Sequence, residues 1–119
     1  MIWSLNMSKR VESVYLLDML TYGRRVRERA GNRTREELLS DDPMRESVSF
    51  NLAVIGEAAA QVSAETQAAH PKIPWAKIIS MRNRLIHGYD RIDFEKVWEA
   101  VTTGVPALIA ALEEILPVK

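Results

Sequence analysis

The stretch Met81-Arg82-Asn83-Arg84-Leu85-Ile86-His87-Gly88-Tyr89 brings together residue types suited to phosphate chemistry. His87 carries the side chain that titrates near neutrality and can move protons. Arg82 offers a fork that grips phosphate and stabilises charge on a pentacoordinate phosphorus. Asn83 can orient a hydroxyl or an oxygen, and Tyr89 can stack on a base or donate a hydrogen bond. No carboxylate cluster stands beside them to hold a metal, and no cofactor is called for. The set suits metal-free cleavage of RNA, in which the 2′-hydroxyl attacks the adjacent phosphate while a side chain relays the proton. The plain alternative is structural: Arg82 pairs with a buried acid, His87 caps a helix, and Tyr89 packs. On composition and spacing alone, that alternative carries somewhat more weight than the enzyme.

A helix must position these groups. Its pattern starts near Pro74, with an apolar stripe of Trp75, Ile78, Ile79, Leu85 and Ile86. Arg82 fills the gap in that stripe, where a guanidinium is costly unless paired or facing a wet cavity. Asn83 and His87 are four apart and share a face. Arg82 and His87 stand about 140° apart on a straight helix, so both address one phosphate only if the helix ends near His87. Gly88 suits such an end.

The flanking segments also read as helices. The first is expected from Ser8, as N-cap, to Ala30, with Val11, Val14, Leu17 (or Tyr15) and Met19 as its apolar face. Its tail is basic (Arg24, Arg25, Arg27, Arg29). This suits a helix C-terminus first and an RNA-facing patch second. Thr34-x-x-Glu37 is a capping box for a short helix to Leu39. A third helix opens at Asp42-Pro43 and carries the stripe Val48, Leu52, Ile55, Ala59, Val62. Its small residues Gly56, Ala58, Ala59 and Ala60 invite close approach by a neighbour. Glu57, beside them, reads first as a solvated or salt-bridged residue and second as a partner for a site arginine. His70 reads as a loop residue. The last helix starts at Asp93 as N-cap, with Ile92 and Val97 as a staple. Gly104 and Pro106 should kink it. No segment alternates with a strand period. The expectation is an all-α, four- to five-helix antiparallel bundle.

The chain of 119 residues, 47% hydrophobic and 27% charged, fits one domain over residues 1–119, with residues 1–7 peripheral. Sixteen basic and sixteen acidic residues balance, which excludes a globally basic nucleic-acid binder but not a local patch. The absence of cysteine excludes disulfides, a thiol nucleophile and thiolate metal sites. Two histidines, His70 and His87, argue against a His-rich zinc site. No apolar run is long enough to span a membrane, and no signal peptide is visible, so the cytoplasm is expected.

Arg82-x4-His87-x-Tyr89, with Asn83 directly after the arginine, resembles the signature of the HEPN superfamily, and more narrowly the HepT toxins. The Ile55-Gly56-Glu57-Ala58-Ala59 segment, Trp75, Met81-Arg82-Asn83, and Ile92-Asp93 leading into Val97-Trp98 extend the resemblance over the chain from about Ser8. The resemblance implies a helical bundle that forms a homodimer and sets two motifs in one cleft. It also implies a metal-independent endoribonuclease toxin, neutralised by an MntA-like nucleotidyltransferase antitoxin that transfers AMP to Tyr89. Carried over, Arg82 binds the scissile phosphate, His87 is the general acid or base, Asn83 supports positioning, and Tyr89 is the modified residue. Arg84 and Arg91 flank the motif as further candidate phosphate contacts, with ordinary surface charge as their plainer reading. The rival function is a non-catalytic subunit that binds a nucleotide or a nucleotidyltransferase partner, for which an intact His87 would be unnecessary.

Overall fold

The computed structural model describes residues 2–117, with side chains for residues 12–88 and 90–117. The described residues form helices and no strand. They are α1 (Ile2–Ala30), α2 (Arg35–Ser40), α3 (Asp42–Gln61), α4 (Ala64–Ala69), α5 (Trp75–His87), α6 (Phe94–Glu99) and α7 (Val105–Ile115). A 3-10 turn (Tyr89–Arg91) follows α5, and a π turn (Ala100–Gly104) joins α6 to α7. The expected all-α bundle is what the chain forms. No described helix is long and apolar enough to cross a membrane.

The caps are the local signals that stop one helix and start the next. Thr34 Oγ1 accepts from the Glu37 amide, and the Glu37 carboxylate accepts from the Thr34 amide at 3.0 Å, so the capping box is complete. Asp41 caps α3 by accepting from the Met44 amide at 2.9 Å, one residue earlier than expected. Asp93 caps α6 through the Glu95 amide. Two features depart from expectation at the chain's ends and middle. α1 begins at Ile2, so Ser8 lies inside the helix rather than capping it. α4, a short helix capped by Ser63, went unforeseen because its Ala-Glu-Thr-Gln-Ala-Ala sequence has no apolar stripe. His70 ends α4, and its carbonyl accepts from the Trp75 indole N–H at 3.0 Å.

One apolar cluster runs through the bundle. The α3 stripe is buried as expected at Val48, Leu52, Ile55, Ala59 and Val62. The last helix buries Val97, Val101, Leu108, Ile109 and Leu112. The face of α1 is the expected one at Met19 and the half-buried Tyr15, but not at Val14 and Leu17. Leu16, Met19, Leu20, Val26 and Ala30 are buried, while Val14 and Leu17 are exposed and the side chain of Val11 lies outside the described residues. The helix offers apolar residues on more than one side, so packing, not periodicity, chooses the inward one. Likewise Ile86, placed in the α5 stripe by spacing, is exposed. The break near Pro106 takes the form of the π turn. Val105 N–H reaches back five residues to the Ala100 carbonyl, and Pro106 has no N–H to give.

Glu12 locks α1 antiparallel to α3. Its carboxylate accepts from the Ser63 amide at 2.7 Å and from Thr66 Oγ1 at 2.6 Å, at the far end of α3. Hydrogen bonds from Ser63 and Thr66 hold its carboxyl below the ordinary 4.5. A carboxylate bound this way stabilises the fold above its unfolded value and ceases to do so as pH falls through its lower folded value. The stability lost in Glu12→Gln should therefore be full at neutral pH and vanish progressively below 4.5, as thermal melts across that range would show.

The contact between α3 and α5 is the tightest in the molecule's glycine set. A Cβ built on Gly56 would stand 2.2 Å from Arg82 Cβ and 3.1 Å from the Ile78 carbonyl oxygen. The small-residue patch thus serves close helix approach, as its composition predicts. Gly56→Ala should cost about 1–3 kcal/mol of stability in a denaturant titration, because backbone-proximal atoms must separate.

Candidate active site

α5 ends at His87, and the Gly88 amide closes its last turn on the Arg84 carbonyl at 2.9 Å. Gly88 keeps a negative φ of −123°, so it stops the helix without a left-handed turn. The helix thus ends where the sequence expects it to, at the residue before Gly88. Basic residues in this last turn, Arg84 and His87, face the negative end of the helix dipole.

Arg82 is the organising side chain. Its stem rests against Gly56, where no side chain intervenes. Its Nη2 pairs with the Glu57 carboxylate at 2.6 Å, and its Nη1 donates to Asn83 Oδ1 at 2.8 Å. Its Nε is buried and has no hydrogen-bond partner among the described residues. The head is thereby held between α3 and the next residue of its own helix. Asn83 lies between Arg82 and His87 around α5, at about 100° from one and 40° from the other. Drawing the guanidinium onto Asn83 turns it toward the face that His87 shares.

Glu57 answers the question posed by an arginine in an apolar stripe. Of the two readings its sequence allows, a solvated or salt-bridged residue or a partner for a site arginine, the structure shows a salt bridge to Arg82, with Glu57 still about half exposed. The signal was available. Where α5 crosses Gly56, the next residue of α3 must lie beside whatever α5 presents there. The pair is not the buried ion pair of the structural alternative, since both side chains keep contact with solvent.

Asn83 and His87 are exposed on α5. Tyr89 opens the 3-10 turn directly after Gly88, and its side chain lies outside the described residues. Arg84 and Arg91 do not join the Arg82 cluster. Arg84 is about 160° around α5 from Arg82 and lines a groove with Arg91 on the helix's other flank. In the basic tail of α1, Arg24 pairs with Glu113 at 2.7 Å, and Arg25 lies over the Tyr22 ring at 4.5 Å.

Fold and site together define an all-α bundle with Arg-x4-His at the end of a helix, the arginine anchored by an acid from the neighbouring helix. A family model described as Ribonuclease HepT-like matches residues 19–115, and the chain belongs to that family. Among its relatives is a candidate RNase of Methanocaldococcus jannaschii, 31% identical over 92% of this chain and 91% of its own. Another is the "probable ribonuclease HepT" of Thermococcus cleftensis, 32% identical over 67% of this chain and 73% of its own. A candidate RNase of Caldanaerobacter subterraneus is 32% identical over 68% of this chain and 72% of its own. No solved structure matches the chain.

The stem and head of Arg82 have separable duties. Arg82→Met keeps an unbranched stem over Gly56 and removes the partly exposed pair. It should change stability by no more than about 1 kcal/mol in a denaturant titration. That makes it a folded reference for what the guanidinium does.

Proposed function

We propose that the chain is a metal-independent endoribonuclease, acting as one domain. The observation that carries this reading is the Arg82 head held toward the face of Asn83 and His87 at a helix end. It is supported by membership of the HepT-like family and by relatives named as ribonucleases. RNA is the substrate, and the cytoplasm is where such a protein works.

In the proposed reaction, the 2′-oxygen of one nucleotide attacks the neighbouring phosphorus. The bond from phosphorus to the 5′-oxygen breaks, leaving a 2′,3′-cyclic phosphate and a 5′-hydroxyl. His87 takes the proton from the 2′-hydroxyl or gives one to the departing 5′-oxygen. Arg82 stabilises the extra negative charge on the phosphoryl oxygens as it develops. Glu57 and Asn83 fix its guanidinium, so little reorganisation is needed when the charge appears. Each site offers one histidine, and the two proton transfers call for two groups. A homodimer that faces two motifs into one cleft would supply the second. Val14 and Leu17, three apart on one face of α1 and exposed, are suited to such self-association.

The proposal extends to regulation. Tyr89 is two residues beyond His87 in the turn that leaves the helix. Transfer of AMP to its hydroxyl by an MntA-like nucleotidyltransferase antitoxin would add a bulky, negatively charged group to the motif and exclude RNA phosphates. The protein is then the toxin of a toxin–antitoxin pair. The rival is a non-catalytic subunit that binds a nucleotide or a nucleotidyltransferase partner, in which Arg82 grips a phosphate and His87 is not used.

The two readings separate in one experiment. Purified protein should cut RNA in excess EDTA, and His87→Ala should lower the rate by about two to four orders of magnitude while leaving the oligomer intact. Co-expression with an MntA-type nucleotidyltransferase should add adenylate mass to the peptide bearing Tyr89 and abolish cutting. Protein that never cuts RNA but binds a nucleotide or the partner enzyme would establish the rival instead.

A further inference from the structure

α5 packs along α3 on one flank only. On the other it faces α6 and the π turn across a gap. Two adjoining hollows of about 310 Å³ each occupy that gap and share Met81, Arg84 and Lys96, so they form one groove. Its floor is aliphatic, made by Leu52 and Ile55 of α3, Ile78 and Met81 of α5, and Val105 and Leu108 beyond the π turn. The π turn keeps the far wall low. Thr103 and Gly104 line it, and a Cβ built on Gly104 would meet nothing within 4 Å.

The rim is cationic. Lys77 and Arg84 stand along α5, Arg91 follows in the 3-10 turn, and Lys96 faces them from α6. Lys77 and Arg84 are seven residues apart on α5, two helical turns, so they share one edge, and Arg91 lines its end from the 3-10 turn. The acids on the rim are already engaged. Glu99 pairs with Lys77 at 3.3 Å, and Asp93 caps α6. Among the described residues, Arg84, Arg91 and Lys96 have no acidic partner within ion-pair distance.

We propose that this groove docks an acidic amphipathic helix of a partner protein. The helix would lay its apolar stripe on the aliphatic floor and its carboxylates against Arg84, Arg91 and Lys96. Length agrees: the 13 residues of α5 run about 20 Å, which matches some four helical turns. The docked helix would close the open seam of the bundle. RNA fits this groove less well. Its floor is aliphatic, and among the described residues no aromatic ring lines it for base stacking. The proposal is independent of the ribonuclease reading, since Arg82 and His87 line neither hollow.

The test uses a stapled, fluorescein-labelled helical peptide of about 18 residues, with Leu at i, i+3, i+4 and i+7 positions and Glu on the flanks. Binding is read by anisotropy and mapped by backbone amide shifts on the full chain. The peptide should bind, with shifts clustered at Lys77–Arg84 and Lys96–Gly104. The double variant Arg84→Glu/Lys96→Glu should weaken it by at least about tenfold. Thr103→Trp, which fills the groove without touching charge, should weaken it as well, and a peptide with Lys in place of Glu should not bind. The proposal is overturned by an absence of binding, by binding that both groove variants leave unchanged, or by shifts elsewhere. It is equally overturned if an oligouridylate, rather than the peptide, occupies the groove and is displaced by the double variant.

Discussion

The closeness of α3 and α5 at Gly56 is the constraint on which the site depends. Helix axes that approach this nearly leave no room for a side chain between them, so the stem of Arg82 lies directly on the opposing backbone. A residue so placed cannot swing freely. Its head must emerge at the edge of the contact, where Glu57 and Asn83 receive it. A flexible cation is thereby turned into a fixed one by an apolar contact at its base and polar contacts at its tip. Fixing a charge before it is needed is the main way a protein stabilises developing charge.

Electrostatics sharpens the same point. A guanidinium in the stripe of an amphipathic helix would be expensive without a counter-charge. Glu57 supplies one without burying the pair, because both groups keep contact with water. The arginine head therefore stays partly exposed to solvent. A fully buried pair in its place would have been rigid but spent on the fold alone.

Much of this architecture could be read in the residues, and the exceptions have physical causes. Caps carry strong local information, and Thr34, Asp93 and the Gly88 stop are where the sequence places them. The stripe of α3 is equally clear, because Val48, Leu52, Ile55, Ala59 and Val62 recur at helical spacing, although Phe50 is left exposed outside it. α1 was not, because Val14, Leu16, Leu17, Met19 and Leu20 surround much of the helix, and only the neighbours decide which of them point inward. Arg82, Asn83 and His87 stand out in the sequence by type and spacing, whereas the support of Arg82 by Glu57 does so only as the second of two readings. Glu57 is twenty-five residues from Arg82, and no local rule links them. The link is Gly56, whose meaning appears only once the two helices are laid together. The groove beside α5 was invisible for the same reason, since its walls come from three distant segments.

The π turn at Ala100–Gly104 adds one residue to what is otherwise a continuous helix from Phe94 to Ile115. Each added residue rotates everything after it by about 100°. Leu108, Ile109 and Leu112 reach the core only because that extra residue is present, and Val97 reaches it on the other side of the turn. The segment is therefore locked in length to a single residue. Removing one position would restore a uniform helix and turn the C-terminal apolar face away from α1. In this part of the chain, losing or gaining a single residue disturbs the packing of the last helix more than exchanging one surface side chain for another.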